Sequence, residues 1–167
     1  MIDAVSAPID VARIGRGFAN VVLDSQAAFR ELMWALSRPG LPRPLAAAIE
    51  PPEGIEPASA IALLTLADFE TKVYLGPERA AGPAGDYLRF HAGCPLVADP
   101  GEAAFALTSA AEAVALLPRL PVGEDRYPDR SATLIVEVEA LSGGPPVALT
   151  GPGIPGEVEI GPAGLPD

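Results

Sequence analysis

Apolar residues recur along the chain with two different periods, and the changes of period divide it into helices and strands. Within DSQAAFRELMWALSRPG (24–40), Phe29, Leu32, Met33 and Leu36 follow the i, i+3, i+4, i+7 spacing of one helical face. This predicts an amphipathic helix that buries that face. Asp24 or Ser25 is suited to cap its start. Pro39 disfavours helical geometry at Arg38, so the helix should stop near Ser37, and Gly40 completes the turn. PASAIALLTLAD (57–68) predicts a second helix with Pro57 in its first turn. It is apolar nearly all round, as expected of a helix buried on more than one side.

The next segments are shorter. KVYL (72–75) reads as a strand, the Gly- and Pro-rich stretch 76–85 as a loop, and DYLRFHA (86–92) as a short helix closed by Gly93. PLVA (95–98) and AAFALT (103–108) read as strands, and SAAEAVALL (109–117) as a helix capped by Ser109 with Pro118 beyond its end. PVGEDRYPDR (121–130) reads as an exposed loop. ATLIVEVEAL (132–141) is a strand with Glu137 and Glu139 on one face and Val136 and Val138 on the other. SGGPP then turns the chain into VALT (147–150), which predicts a hairpin, and EVEI (157–160) adds a strand. Residues 1–17 give no strong periodic signal. Interleaved helices and strands predict an α/β fold, a mixed β-sheet flanked by helices, in one domain over 1–167.

Composition narrows the partners. With 22 acidic against 11 basic residues the net charge is −11, which argues against a nucleic-acid-binding face and against docking on an anionic membrane. One cysteine excludes an internal disulfide. No apolar run reaches the roughly 20 residues of a membrane span. The first residues show no basic segment ahead of an apolar block, so a cytoplasmic protein is the expectation.

The rarest residues fall together in LRFHAGCPL (88–96), which holds the only histidine, His91, and the only cysteine, Cys94. A nucleophile–base pair needs the two side chains within hydrogen-bond reach. Gly93 turns the chain between them and Pro95 biases Cys94 toward extended geometry, so the spacing separates them. Cys94 reads as a small buried residue. His91 reads as a helix-terminal residue favoured by the helix dipole, with proton transfer as its chemical alternative. As a metal site the segment could add only carboxylates such as Asp68, Asp86 or Asp99, so no metal is expected. Arg30, Trp34 and Arg38 form an i, i+4, i+8 stripe able to meet an anion or a partner protein. Neither SGG (142–144) nor GPGIPG (151–156) opens a helix after a strand, so both read as turns and not as phosphate loops. The carboxylate pairs Glu137/Glu139 and Glu157/Glu159 read as solvated. The one lysine, Lys72, makes pyridoxal phosphate chemistry a weak expectation.

FRELMWALSRPG (29–40), LLTLADFETKVYL (63–75), LRFHAGCPLV (88–97), ATLIVEVEALSGG (132–144) and LTGPGI (149–154) together resemble, in order and spacing, the PhnH family. PhnH is a subunit of the bacterial carbon–phosphorus lyase core complex. The resemblance runs from about residue 18 to residue 160. It implies an accessory subunit of phosphonate breakdown, supporting ATP-dependent formation of ribose 1-phosphonate 5-triphosphate, without catalytic residues, cofactor or metal of its own. It also implies partners of the PhnG, PhnI and PhnJ types, a homodimer in isolation, and a fold like that of pyridoxal phosphate transferases without the cofactor. The C-terminal part of the family fold is expected to be missing. Among the residues that match the family pattern are Arg30, Asp68, Arg89 and His91. With Arg38, these are the candidates for binding a small anion or for a subunit interface. The rival expectation is a small stand-alone enzyme in which His91 is the acid or base and Arg89 and Arg30 hold an anionic substrate.

Overall fold

The computed structural model describes residues 14–165. Its first element is helix α1, Val21–Leu36. The expected cap at Asp24 or Ser25 is replaced by Asn20, four residues before Asp24. The Asn20 side chain accepts from the Leu23 N–H at 3.0 Å, and Asp24 reaches back to accept from the Asn20 N–H at 2.9 Å. These two bonds satisfy donors that the first turn would otherwise leave free. The larger correction concerns the apolar face. Phe29, Met33 and Leu36 are exposed, and α1 buries only Ala28 fully. Helical spacing sets which residues share a face, but not which face the rest of the protein covers.

Helix α2, Pro57–Leu66, has its proline at the predicted first position and buries Ser59 through Leu63. Strand β1 (Val73–Tyr74) follows. The stretch expected to be a loop instead holds the short helix α3 (Pro77–Ala81) and the start of α4 (Pro83–His91). Each begins on a proline, whose fixed φ suits the first helical residue and whose missing N–H needs no partner there. Gly93 lies just past the α4 cap at φ +69°, as the sequence reading requires. PLVA forms no strand; only Leu96 bridges, in parallel, to Val73.

Strand β2 (Phe105–Ser109) and helix α5 (Ala110–Leu116) come next. The expected loop at 121–130 is a hairpin of β3 (Val122–Glu124) and β4 (Tyr127–Ser131). Strand β5 (Thr133–Glu137) is shorter than predicted. The expected hairpin between 132–141 and 147–150 does not form. Instead β6 (Val147–Leu149) pairs antiparallel with β7 (Val158–Ile160) around the glycine-rich turn.

The sheet at the centre is parallel, in the order β1-β2-β5, with Val73 opposite Phe105 and Phe105 opposite Thr133. The expected single mixed sheet is thus a parallel sheet with two separate antiparallel hairpins. β2 is the middle strand. Ala106, Leu107 and Thr108 are all buried, as a strand covered on both faces requires. Leu107 packs with Leu63, Val73, Tyr87 and Leu88 in the main core, and Ala106 with Leu116 and Leu120 on the other side.

Candidate functional site

In open parallel sheets, the crevice beyond the carboxyl ends of the strands is where side chains from different connections converge. Here β1 ends at Tyr74, runs through Gly76 into α3, and β5 ends at Glu137. Arg79 of α3 reaches across to Glu137, Nη2 to Oε2 at 3.0 Å. Glu137 Oε1 accepts from the Glu56 N–H, at the start of α2, at 2.8 Å. One carboxylate therefore joins three elements. Its side chain is only 12% exposed, which corrects the expectation that Glu137 is solvated. Glu157 and Glu159 are exposed, as expected. A cavity of about 440 Å³ opens beside the pair, lined by Pro52, Glu53, Glu56, Arg79 and Glu137. Arg79 Nη1 is buried there without a hydrogen-bond partner. Sequence reasoning missed Arg79 because it lies in a segment read as loop, and its partner is far away in sequence.

A second cavity, of about 300 Å³, lies between β1, α3 and the 96–98 segment, and Arg89 is its one charged lining residue. The Arg89 guanidinium is tied to Asp86 one turn earlier at 3.2 Å. Tyr74 and Leu96 supply much of the remaining wall. This cavity wall is where the structure places one of the candidate residues.

His91 does something else. Its Nε2 lies 2.8 Å from the Gly15 carbonyl oxygen, and a carbonyl only accepts, so Nε2 carries the proton and donates. The ring meets Tyr87 and Phe90 edge to face, at centroid distances of 4.6 and 4.9 Å. Tyr87 in turn donates to the Arg16 carbonyl at 3.1 Å. The two α4 rings thus hold residues 15–17 against the body. A side chain at Gly17 would place its Cβ 2.6 Å from His91 Nδ1, so only glycine fits. The Tyr87 ring is fully buried, and burial pushes its phenol up to about 12.

Cys94 is buried at the entry to the 95–98 segment, and burial pushes its thiol up, with Arg89 lowering and Asp68 raising it by their charges. Its Sγ faces the Leu88 carbonyl at 3.9 Å, whereas the His91 hydrogen bond goes to Gly15. Asp68 is exposed and serves its own turn. Its Oδ1 accepts from the Thr71 hydroxyl at 2.7 Å and the Glu70 N–H at 3.0 Å, which lower its pKa. Among the described residues, no three His, Cys, Asp or Glu side chains gather as a metal site would require. Lys72 pairs with Glu102 at 2.6 Å on the surface.

Arg30 stands on α1 and Arg38 in the turn just past its end. Arg38 lies 4.7 Å from the centroid of Trp34, and Arg43, which the sequence reading did not single out, lies 4.3 Å from the same ring. Arg43 is also bonded to Glu31, Nε to Oε2 at 2.7 Å. The candidates therefore divide into α1 and the turn after it (Arg30, Arg38), a cavity wall (Arg89), a packing contact (His91) and a turn (Asp68). They do not form one catalytic cluster. Of the two His91 ring nitrogens, Nε2 is the one bonded to the backbone, at Gly15. Among the described residues no helix is long and apolar enough to cross a membrane.

A parallel sheet with helices in its crossovers, and with its conspicuous polar side chains engaged in holding elements together, defines an α/β protein with no self-contained catalytic cluster among these candidates. Residues 16–167 match the family described as bacterial phosphonate metabolism protein (PhnH), and the chain belongs to that family. It is 41% identical over 150 residues to the "Alpha-D-ribose 1-methylphosphonate 5-triphosphate synthase subunit PhnH" of Rhizobium meliloti (strain 1021), covering 90% of this chain and 75% of the relative. It is 33% identical over 140 residues to the "Putative C-P lyase subunit protein HtxG" of Stutzerimonas stutzeri, covering 84% of this chain and 65% of that relative.

Proposed function

We propose that this chain is an accessory, non-catalytic subunit of a multi-subunit complex that breaks down organic phosphonates. In this role it supports ATP-dependent formation of a ribose 1-phosphonate 5-triphosphate. The observation that carries this reading is the 41% identity to the Rhizobium meliloti synthase subunit across 90% of the chain. The structural roles of His91, Glu137 and Asp68 fit it, since each already has a partner within the chain. The companions in this reading are the PhnG, PhnI and PhnJ subunits, in the cytoplasm, and the isolated chain pairs with a second copy. The fold is that of a pyridoxal phosphate transferase in which the cofactor role has been lost. The pairing of Lys72 with Glu102 agrees with this, because the lysine is held at the surface by a carboxylate. Arg30 and Arg38 belong to a subunit interface, and Arg89 faces a pocket for a small anion.

The test is co-expression with the PhnG, PhnI and PhnJ proteins of the same genome, followed by size-exclusion chromatography. In parallel, a strain lacking this gene is grown on methylphosphonate as sole phosphorus source. A stable complex and growth restored by the wild-type gene are expected. Absence of both results would overturn the reading.

A further inference from the structure

We infer that the crevice between β1 and β2, at their carboxyl ends, is a binding site for a nucleoside phosphate. This extends the reading of Arg89 above and is independent of the subunit role. The chain topology marks the place. From β1 the chain passes through α3 and α4 and returns at Leu96, which bridges to Val73 on the side away from β2. From β2 it passes through α5 and returns as β5, on the side away from β1. The two connections also cover opposite faces of the sheet. α4 packs through Tyr87 and Leu88 into the core that holds Leu107, and α5 packs through Leu116 against Ala106. Adjacent parallel strands whose connections leave in opposite directions hold a crevice between their carboxyl ends, which is where open α/β sheets take their ligands.

Two cavities occupy this crevice, and Tyr74, Gly76 and Pro77, at the end of β1, line both. The larger, of about 300 Å³, extends to Arg89 and Leu96. The smaller, of about 180 Å³, extends to Thr108, Glu112, Ala115 and Arg119. Ligand pockets run from roughly 300 to 1,000 Å³, so one ligand spanning both lobes fits better than two separate ones. Gly76, common to both, puts no side chain between them. A Cβ there would meet nothing within 4 Å, and its φ of +80° favours glycine.

The charge of each lobe selects what it holds. In the larger lobe Arg89 is the one charged lining residue. Its Nη1 is engaged by Asp86, while Nε and Nη2 have no partner among the described residues. Free guanidinium donors in an otherwise apolar lobe suit a phosphate group. The smaller lobe holds one carboxylate and one guanidinium, so a bare anion there meets Glu112 as well as Arg119. Glu112 takes the Thr108 and Ser109 hydroxyls on Oε2, which leaves Oε1 to accept from a ligand. Arg119 forms no ion pair among the described residues and is left to donate. An acceptor and a donor in one lobe, with Leu107 and Leu116 in its wall, suit a flat heterocycle that carries an amino group and a ring nitrogen. The sugar of a nucleotide joins the two parts across Gly76. With −11 on the chain, a single phosphate is favoured over a polyphosphate.

The experiment titrates adenosine monophosphate (AMP), adenosine and inorganic phosphate into the purified full chain by isothermal titration calorimetry, with a melting curve for each variant. AMP is expected to bind saturably at millimolar concentrations or below, with adenosine about tenfold weaker and inorganic phosphate weaker still. Arg89→Gln is expected to bring AMP down to the affinity of adenosine and to leave adenosine unchanged. Arg119→Ala is expected to weaken both about fivefold. Ala115→Phe, which fills the smaller lobe from an exposed position, is expected to abolish binding of both. Arg126→Ala, in the turn of the β3–β4 hairpin and outside the crevice lining, should bind as wild type. If Arg89→Gln or Ala115→Phe is misfolded, Arg119→Ala decides, because that side chain is exposed. No saturable binding of AMP to the wild type, wild-type affinity in the folded crevice variants, or an equal loss in Arg126→Ala overturns the site. Inorganic phosphate binding as tightly as AMP shows an anion site alone and overturns it too. Each of these results leaves the subunit reading intact, and a chain that binds AMP but none of the other subunits overturns that reading alone.

Discussion

Arg79 of α3 and Glu137 at the end of β5 meet at 3.0 Å, across the carboxyl edge of the parallel sheet and 58 positions apart in sequence. The same carboxylate accepts from the start of α2, so the connection after the first strand, the last strand and an earlier helix share one charged group. Removing the carboxylate would leave a largely buried guanidinium without its counter-charge and the Glu56 N–H without its acceptor. Glu137→Ala is expected to lower the unfolding free energy by about 3 kcal/mol and Arg79→Met by about 2 kcal/mol. The double variant should lose clearly less than the sum. Urea unfolding of the four proteins measures this, and strictly additive losses would show that the pair is not coupled.

His91 is predicted to act through the backbone it holds. His91→Ala should lower the melting temperature by several degrees, whereas His91→Gln, which keeps a donor, should lower it less. Gly17→Ala should be poorly tolerated in the wild type, because the new methyl meets the imidazole, and better tolerated in the His91→Ala background. Melting curves of the single and double variants check this. Growth on methylphosphonate should follow stability across the set, and a folded His91→Gln that abolishes growth would restore a chemical role to the ring.

Burial of Tyr87 makes stability depend on pH at the alkaline end. Its phenol is raised from 10.0 to about 12 in the folded protein, so the folded state keeps a proton that the unfolded chain releases. This contribution is fully present below pH 10, and it is lost as pH rises through the folded value near 12. Melting temperature should therefore fall over that interval, and less steeply in Tyr87→Phe. In an absorbance titration, one of the three tyrosines should ionise late.

Cys94 combines deep burial with a raised thiol pKa, both of which suppress thiolate chemistry. A disulfide reagent such as DTNB at pH 8 should leave the native protein unlabelled over minutes and label one thiol per chain in 6 M guanidinium. Rapid native labelling would show that the 94–98 segment opens readily.

Where local chemistry decides an element, the sequence reading agrees with the structure. Pro57 opens α2, Gly93 closes α4, and β1, β2 and β7 lie where alternation or apolar runs place them. Disagreements appear where a partner far along the chain decides. VALT pairs with EVEI instead of with the strand before it, because strand pairing depends on which edge is free after the fold closes. PLVA contributes one bridge, since only Leu96 comes opposite β1. Glu137 looked like one member of a solvated strand pair, because alternation assigns it a face but says nothing of what faces it.

By itself the sequence determined the family, the alternation of helix and strand, the start of α2 and the end of α4, and the separation of Cys94 from His91. These follow from residue types and short spacings, which act through backbone geometry within a few residues. Tertiary structure alone decided that the apolar stripe of α1 faces outward, that His91 holds the backbone at Gly15, and that Arg79 and Glu137 tie the ends of the sheet together. The physical reason is common to all three. Periodicity defines a surface and chemistry defines a reach, but whether that surface is covered, and by what, depends on segments that meet only when the chain is folded.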